Sequence, residues 1–571
     1  MGVNEIFGLI GGLCLFLFGM NIMGEALERK AGGALRSILG RLTSNKAMGF
    51  LTGLGVTAII QSSSATTVMV VGFVNSGLMS LRQSIMVIMG ANIGTTVTAW
   101  MLSLIGIEGG NIITELLKPS CFAPILALIG VVFYMFLKND KKKETGLILL
   151  GFSTLMFGME TMSAAVAGLQ DMPGFRELFL LFSNPLLGAL AGMLLTVVIQ
   201  SSSASTGITQ ALAATGQVTY GSAIPLIIGQ NVGTCATALI SCVGASRDAK
   251  RTAMVHLLFN VLGAAVWLTV YCVMQSVFRP AVLGQAATAA GIAVVHTVFN
   301  LLCTLLLLPL SGLLEKLVVL LVPDGKADKE KAAAELDERL FAFPSIALQR
   351  SHDVTCDMAI SVSLRVREAM AAIDDPETAG PMQESAKATE GRKNEIDKYL
   401  IRLSTLPLDR AAGGEVAMLL KITGELRYIS RQSMEIADCA RRLRQDDLQL
   451  SPAAREEFKT ICAAMKELIR LSMSAVTGSD PSAAEAASAL AQVIHACKRD
   501  CCARHVSRLR QHICSAETGF VWVDLLTALE RIADHYANIC SHIIEERGAA
   551  GETPQSVCRA FEERFRLPSE N

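Results

Sequence analysis

The chain has 571 residues, a hydrophobic fraction of 51% and nearly balanced charge, 50 Lys+Arg against 51 Asp+Glu, with a mean hydropathy of +0.45. That balance offers no basic surface for nucleic acid, and the hydropathy is high for a soluble protein. The averages hide a split: residues up to Val322 hold 17 of the basic and 12 of the acidic side chains, and the rest follow Pro323.

In chain order, the first apolar run, Ile6 to Met23, has no basic segment before it and more apolar runs after it. It reads as a retained helix rather than a cleaved signal. Loop 25 to 46 carries Arg29, Lys30, Arg36, Arg41 and Lys46. Ala47 to Gly77 contains Gln61-Ser62-Ser63-Ser64-Ala65-Thr66-Thr67 and flanking glycines. Polar groups at membrane depth are costly unless satisfied, so this stretch is expected to be a broken helix or re-entrant hairpin. Spans long enough to cross a bilayer follow at Ser84 to Ile105, Phe122 to Leu137 and Gly146 to Ala167. The first of these contains Gly90-Ala91-Asn92-Ile93-Gly94-Thr95-Thr96, and the lysine-rich loop 138 to 145 separates the other two. Asn184 to Gly216 then brings Gln200-Ser201-Ser202-Ser203-Ala204-Ser205-Thr206, and Gly221 to Val243 brings Gly229-Gln230-Asn231-Val232-Gly233-Thr234-Cys235. Ala253 to Val277 and Ala286 to Leu310 complete the membrane set.

These motifs form an internal duplication. Gln61 to Asn92 and Gln200 to Asn231 have equal spacing, and the offset between copies is 200 − 61 = 139. The same offset carries Phe18-Gly19-Met20 onto Phe157-Gly158-Met159. Positive charge in loops 25 to 46, 138 to 145 and 245 to 252 places those loops in the cytoplasm, whereas loop 168 to 183, with Arg176 against Asp171 and Glu177, belongs outside. Equivalent loops then face opposite sides, so the repeats must be inverted, with three crossings each. The expected organisation is all-α: a membrane transport domain over 1–322 (repeat one about 1–139, repeat two about 140–279, an extra helix about 286–322) and a cytosolic helical domain over 323–571.

Inverted halves meeting at mid-bilayer, with discontinuous helices, are a common transporter architecture. Helix N-termini suit an anion, and hydroxyl, amide and carbonyl oxygens suit sodium. No Lys or Arg interrupts these segments, so an anion there relies on dipoles, hydroxyls and co-bound cations. Ser and Thr in membrane helices also bond the carbonyl four residues back with no substrate involved. A duplicated QSSS and a duplicated GxNxGT at equal distance favour the site. His256/Asn260 and His296/Asn300 place two polar groups on one helix face, for cross-helix bonds or for ions. Glu160, at the position of Asn21 in the other copy, is either functional or near enough to a helix end to reach water.

At these motifs the chain resembles the type II sodium/phosphate cotransporters and their bacterial relatives, over residues 1 to about 320. The resemblance implies that Gln61, Ser62, Ser63, Ser64 and Thr66 meet Gln200, Ser201, Ser202, Ser203 and Ser205 around phosphate and its coupling sodium ions. Asn92, Thr95, Thr96, Asn231 and Thr234 would complete the site. Cys235 stands where the first copy has Thr96, removing one oxygen ligand. A homodimer in the cytoplasmic membrane is a further expectation from the family.

After Lys326 the pattern is helical, with segments expected at 331–372, 384–403, 415–444, 452–477, 483–517, 521–547 and 556–566. Leu336-Asp337-Glu338-Arg339-Leu340, Glu435-Ile436-Ala437-Asp438 and Glu530 to Ile539 resemble parts of PhoU-type regulatory proteins. That resemblance implies a divalent or ferric metal on Glu530 and Asp534, four apart on one helix face; the alternative is a solvated charged face. Met434 stands where the Glu435 to Asp438 fragment would have its acid. The fifteen cysteines lack metal-finger spacing. The function expected is sodium-coupled phosphate transport by alternating access with a regulatory tail. The alternative is a membrane-anchored phosphate sensor; no nucleophile-base constellation or nucleotide loop points to an enzyme.

Overall fold

The computed structural model describes residues 3–40, 45–106, 118–167, 184–323, 336–375, 382–478, 480–547 and 555–567. It divides into two compact units, Met1–Ile346 and Ala347–Asn571. The described residues are helical with short turns, and one isolated bridge pairs Thr219 with Ala286. Loop 138–145 is described, whereas loop 168–183, Arg41 and the side chain of Arg36 lie outside the described residues.

In the first unit, repeat one comprises α1 (Val3–Gly40), α2 (Lys46–Ile60), α3 (Ser63–Asn75), α4 (Leu81–Gly94), α5 (Thr96–Ser103) and α6 (Pro119–Phe136). Repeat two comprises α7 (Asp140–Ala167), α8 (Pro185–Ile199), α9 (Ser202–Ala213), α10 (Tyr220–Gly233), α11 (Cys235–Ser241) and α12 (Arg247–Val273). Among the described residues, seven helical stretches are long and apolar enough to cross a membrane, and they coincide with the seven spans read from the sequence. Large apolar side chains such as Phe7, Leu128, Phe136, Leu186 and Val198 are exposed on them, as a lipid-facing surface requires.

α1 and α7 occupy equivalent places in the two repeats, and they pack antiparallel. Gly12 faces Gly158 and Gly19 faces Gly151, so closely that a Cβ on Gly12 would lie 2.9 Å from the Gly158 carbonyl oxygen and one on Gly19 2.6 Å from that of Gly151. The 139-residue offset exchanges the members of these pairs, turning Gly12 into Gly151 and Gly19 into Gly158. Such a contact maps onto itself only under a two-fold rotation. The repeats are therefore inverted about an axis between these helices.

Three expectations need correction. α1 does not end near Met23 but runs to Gly40, held on α7 by Arg29 to Glu144 (3.0 Å) and Lys30 to Thr145 (2.9 Å). The extra helix over 286–322 is two pieces, α13 (Ala289–Leu307) and α14 (Ser311–Leu321), separated at Pro309, which cannot continue the hydrogen-bond ladder. In the tail, the helix expected from 331 starts instead at Pro344, after a 3-10 turn over Glu338–Ala342 and an extended Phe343. A residue before proline is pushed out of the helical region.

The second unit packs α15 (Pro344–Ala371), α16 (Met382–Ser404), α17 (Arg410–Gln445), α18 (Pro452–Gly478), α19 (Pro481–Arg510), α20 (Ala516–Arg547) and α21 (Gln555–Arg564). Its core holds fully buried Trp522 and Tyr536, the latter bonded to Ser363 at 2.9 Å. The break between α19 and α20 falls at 511–515, earlier than expected, because His512 adopts a left-handed φ of 58°. Neither Gly nor Pro marks that turn.

Candidate functional site

Each QSSS motif is a helix break built the same way. Gln61 ends α2 with φ 62° and ψ 21°, and Gln200 ends α8 with φ 57° and ψ 22°, both left-handed. The next serine is extended and caps the following helix: Ser62 accepts the Ala65 N–H and Ser201 the Ala204 N–H, at 3.2 Å each. Caps of this kind leave the first N–H groups of α3 and α9 pointing out of the helix end, where the macrodipole is positive. A left-handed residue other than Gly or Asn costs about 1 kcal/mol. Gln61 recovers part of that cost because its amide donates to the Ala58 carbonyl and accepts from Thr98 Oγ1 at 2.8 Å. Gln200 is exposed.

The two breaks meet. Gln61, Ser62, Ser63 and Ser64 from repeat one and Ser201, Ser202 and Ser203 from repeat two line one cavity of about 460 Å³. Its remaining wall is a face of α1 comprising Leu17, Met20, Asn21, Gly24, Glu25 and Glu28. Hydroxyls and two helix N-termini offer donors to an anion, and the carboxylates and hydroxyl oxygens offer ligands to a cation. No Lys or Arg is among the described residues of the lining. Glu25 accepts from Asn21 Nδ2 at 2.8 Å and lies 3.6 Å from the Arg29 guanidinium.

Sequence reasoning missed Asn21, Glu25 and Glu28, because ending the first span at Met23 put the two acids in a loop. Their three- and four-residue spacing, continuing the helical period of the apolar run, was the available signal.

The other expected site residues stand behind the cavity wall. Thr66 is buried and bonded to the Ser62 carbonyl and Thr57 Oγ1, both at 3.0 Å. Ser205 is buried, with its hydroxyl lacking a described partner. Asn92 Oδ1 accepts from His256 Nε2, and Asn231 Oδ1 from His296 Nε2 and Asn300 Nδ2, all at 3.2 Å. The two asparagines are repeat-related, and their bonds to His256 and His296, which are not, lock α4 to α12 and α10 to α13. Thr96 and Thr234 back-bond to the Ile93 and Gln230 carbonyls, and Thr95 is buried at the joint of α4 and α5. Cys235 Sγ contacts the His256 carbonyl at 3.4 Å. Gly90 and Gly229 abut the Phe50 and Ala189 carbonyls, so the GxNxGT glycines permit close helix approach.

A second cavity, of about 550 Å³, is lined by Glu160, Ser163 and Ala164 of α7, the counterparts of Asn21, Gly24 and Glu25. It reaches the C-terminal end of α9 at Gln210 and Ala213 but none of the QSSS serines.

In the tail, Glu530 and Asp534 do share a face, and one imidazole lies between them: His495 Nδ1 is 3.0 Å from Glu530 and Nε2 is 2.7 Å from Asp534. Lys498 adds an ion pair to Glu530 at 2.9 Å. Burial alone would raise the Glu530 carboxyl, but bonds from Lys498 and His495 outweigh it and hold it below the ordinary range. Two nitrogens of one ring cannot serve a single metal, and among the described residues no group of three or more His, Cys, Asp or Glu is arranged to hold one. The arrangement does not fit a metal centre.

A family model described as Na+/Pi-cotransporter matches residues 15–164 and 168–297. The chain is 24% identical over 557 residues to YjbB of Escherichia coli O157:H7, a protein named for inorganic phosphate export, with 95% of this chain and 98% of that one covered. It is 31% identical over 317 residues to the uncharacterised YqeW of Bacillus subtilis, covering 54% of this chain and 96% of the relative. Among solved structures, the phosphate transport system regulatory protein PhoU of Streptococcus pneumoniae aligns with 37% of this chain and 99% of its own, at 17% identity and a TM-score of 0.33. The chain belongs to the Na+/Pi-cotransporter family, and its membrane half is that of a phosphate transporter.

Proposed function

We propose that the protein is a sodium-coupled carrier of inorganic phosphate that works by alternating access in the cytoplasmic membrane, its tail cytosolic and regulatory. One observation carries the reading: serines of both inverted repeats line a single cavity at two helix N-termini. Phosphate takes the hydroxyl and N–H donors of Ser62 to Ser64 and Ser201 to Ser203. Sodium takes oxygens of the same residues together with Glu25 and Glu28, whose charge offsets that of the cation in a site without Lys or Arg. Thr66, Asn92, Thr95, Thr96, Gln200, Ser205, Asn231 and Thr234 act in this reading by fixing the hairpins rather than by touching the ions.

Basic residues support an orientation. Arg29 and Lys30 follow the cavity along α1, Lys141 to Lys143 begin α7, and Arg247, Lys250 and Arg251 begin α12. With that end in the cytoplasm, the QSSS cavity faces inward. The relative that covers both domains is named for export, and a coupled carrier runs in whichever direction the summed phosphate and sodium gradients dictate. We therefore propose net export where the phosphate gradient dominates.

Phosphate flux in proteoliposomes, measured with and without a sodium gradient, tests the proposal. Sodium-dependent flux that disappears in the Ser63→Ala, Ser202→Ala double variant supports it. Sodium-independent flux removes the coupling, and phosphate binding without flux gives the sensor reading instead.

A further inference from the structure

The two cavities are separated along α9. Ser202, at its start, lines the first, and Gln210, two turns later and about 12 Å along the axis, lines the second. Apolar side chains fill the layer between: Phe16 and Leu102 are wholly buried and close on Gly207. A buried polar side chain borders this layer on the side of the second cavity. Gln210 is 1% exposed, and its Nε2 donates to the Ala99 carbonyl of α5 and the Ala289 carbonyl of α13, both at 3.0 Å. Its Oε1 is buried without a described partner. Ala99 and Ala289 belong to helices outside the second repeat's hairpin, so a single amide joins that hairpin to both α5 and α13.

The other repeat lacks this device. By the 139-residue offset Gln210 corresponds to Val71 and Ala99 to Ala238, and Val71 packs against Ala238 as part of an apolar cluster. At this position a fold that is two-fold symmetric in its backbone is thus joined by hydrogen bonds in one repeat and by apolar contact in the other. An amide placed in an apolar layer carries a desolvation cost, and here half of that amide is left unsatisfied.

We propose that Gln210 is a positioning residue of the carrier, a latch that keeps the barrier between the QSSS site and the second cavity closed. While the amide holds the two carbonyls, the serines communicate only with the first cavity. Movement of α9 away from α5 and α13 breaks both bonds, and Oε1 and Nε2 then enter the second cavity and hydrate there. Closing that side requires both bonds to re-form. At the equivalent place in the opposite barrier Val71 meets Ala238 with no such bond to re-form. This assignment rests on the QSSS cavity being the transport site.

The test reads accessibility rather than flux. A reporter, Ser202→Cys, is labelled by a membrane-impermeant thiol reagent applied to oriented membrane vesicles from either side, and modification at position 202 is followed by peptide mass mapping. With Gln210 present, labelling is expected from the first-cavity side and is slow from the second. Gln210→Leu, which keeps the bulk and removes the hydrogen bonds, is expected to raise second-side labelling at least about tenfold, the scale for losing two neutral hydrogen bonds. Gln210→Glu, which sets a carboxylate against two carbonyls, should raise it further. Unchanged second-side labelling in Gln210→Leu, with first-side labelling intact to show a folded protein, overturns the latch. An increase confined to Gln210→Glu overturns it as well, since charge alone would then be the cause. The assay contains neither phosphate nor sodium, so its failure leaves the transport proposal standing, and absent flux with the expected labelling rejects transport and keeps the latch.

Discussion

Gln61 and Gln200 end repeat-related helices with the same left-handed backbone, yet Gln61 is buried and bonded to Thr98 while Gln200 is exposed. The strain is shared and the compensation is not. Glycine removes the strain at either position, so Gln200→Gly is expected to stabilise the membrane unit by about 1 kcal/mol. Gln61→Gly loses the Thr98 bond and should be neutral or destabilising. Thermal unfolding in one detergent decides the matter, and a Gln200→Gly protein that melts lower than its parent would contradict the account.

Adjacent glycines on α1 give a sharper contrast. A Cβ on Gly12 meets the backbone of Met162 and Gly158, whereas one on Gly11 meets nothing within 4 Å. Gly12→Ala forces α1 and α7 apart and should cost about 1–3 kcal/mol. Gly11→Ala should instead add about 0.5–1 kcal/mol through helix propensity. Equal melting shifts for the two variants would mean that the helices do not meet at the symmetric glycine contact.

Much of the site was legible before the structure. Unsatisfied hydroxyls inside apolar runs pointed to helix breaks at the two QSSS motifs, and duplication at a fixed offset together with the loop charges gave the inversion. The left-handed form of those glutamines was not legible, because Gln has little intrinsic preference for it and tertiary contacts such as Thr98 to Gln61 supply the reason. Glu25 and Glu28 were hidden by a loop reading that weighed charge above helical period. The division of the expected residues into a cavity wall and a supporting layer was also invisible: Thr66 and Asn92 offer a side-chain oxygen as Ser63 does, and only their packing against Thr57 and His256 sets them apart.

In the tail, Glu457 and Arg508 form a paired contact, 2.8 Å at both oxygens, with side chains 3% and 5% exposed. Glu457→Ala leaves a buried guanidinium with one partner fewer and should destabilise the bundle by about 3–5 kcal/mol. Replacing both residues by leucine should cost less than that single change. Urea unfolding of the full chain, followed by Trp522 fluorescence, measures the difference, and a double variant weaker than the single one would reverse the argument.

Acid should weaken the same bundle in a defined direction. Burial acts to raise the Glu425 carboxyl, but bonds from His535 (2.6 Å) and Asn538 (3.3 Å) prevail and hold it below the ordinary range, as His495 and Lys498 do for Glu530. A carboxyl lowered in the folded state contributes stability that is complete above its unfolded value, about 4.5, and is lost as pH falls through the lower folded value. Hydrogen-exchange protection factors in α17 and α20 should therefore fall below pH 4.5, and Glu425→Gln should flatten the fall. A variant as acid-sensitive as its parent would exclude Glu425 as a source.

Asp337, which the sequence suggested was the opening of the tail, lies in the membrane unit. Asn75, the final residue of α3, donates to Asp337 Oδ2 at 2.7 Å and accepts the Ser246 N–H at 2.7 Å, while Arg339 binds Asp337 and the Ser241 and Val243 carbonyls. Leu340 is fully buried beside Gly72. The segment leading into the tail is thus fastened to the end of the helix whose other end holds Ser63. α3 is one rigid element, so a change in this tether is felt at the site without any contact to it. Asp337→Ala removes charge-assisted bonds worth about 2 kcal/mol, and hydrogen exchange should increase over residues 72–76 and 338–343. Phosphate flux should change while the melting of the tail bundle does not. Exchange that rises only at 338–343 and leaves α3 protected would show that the segment rests on the helix without holding it.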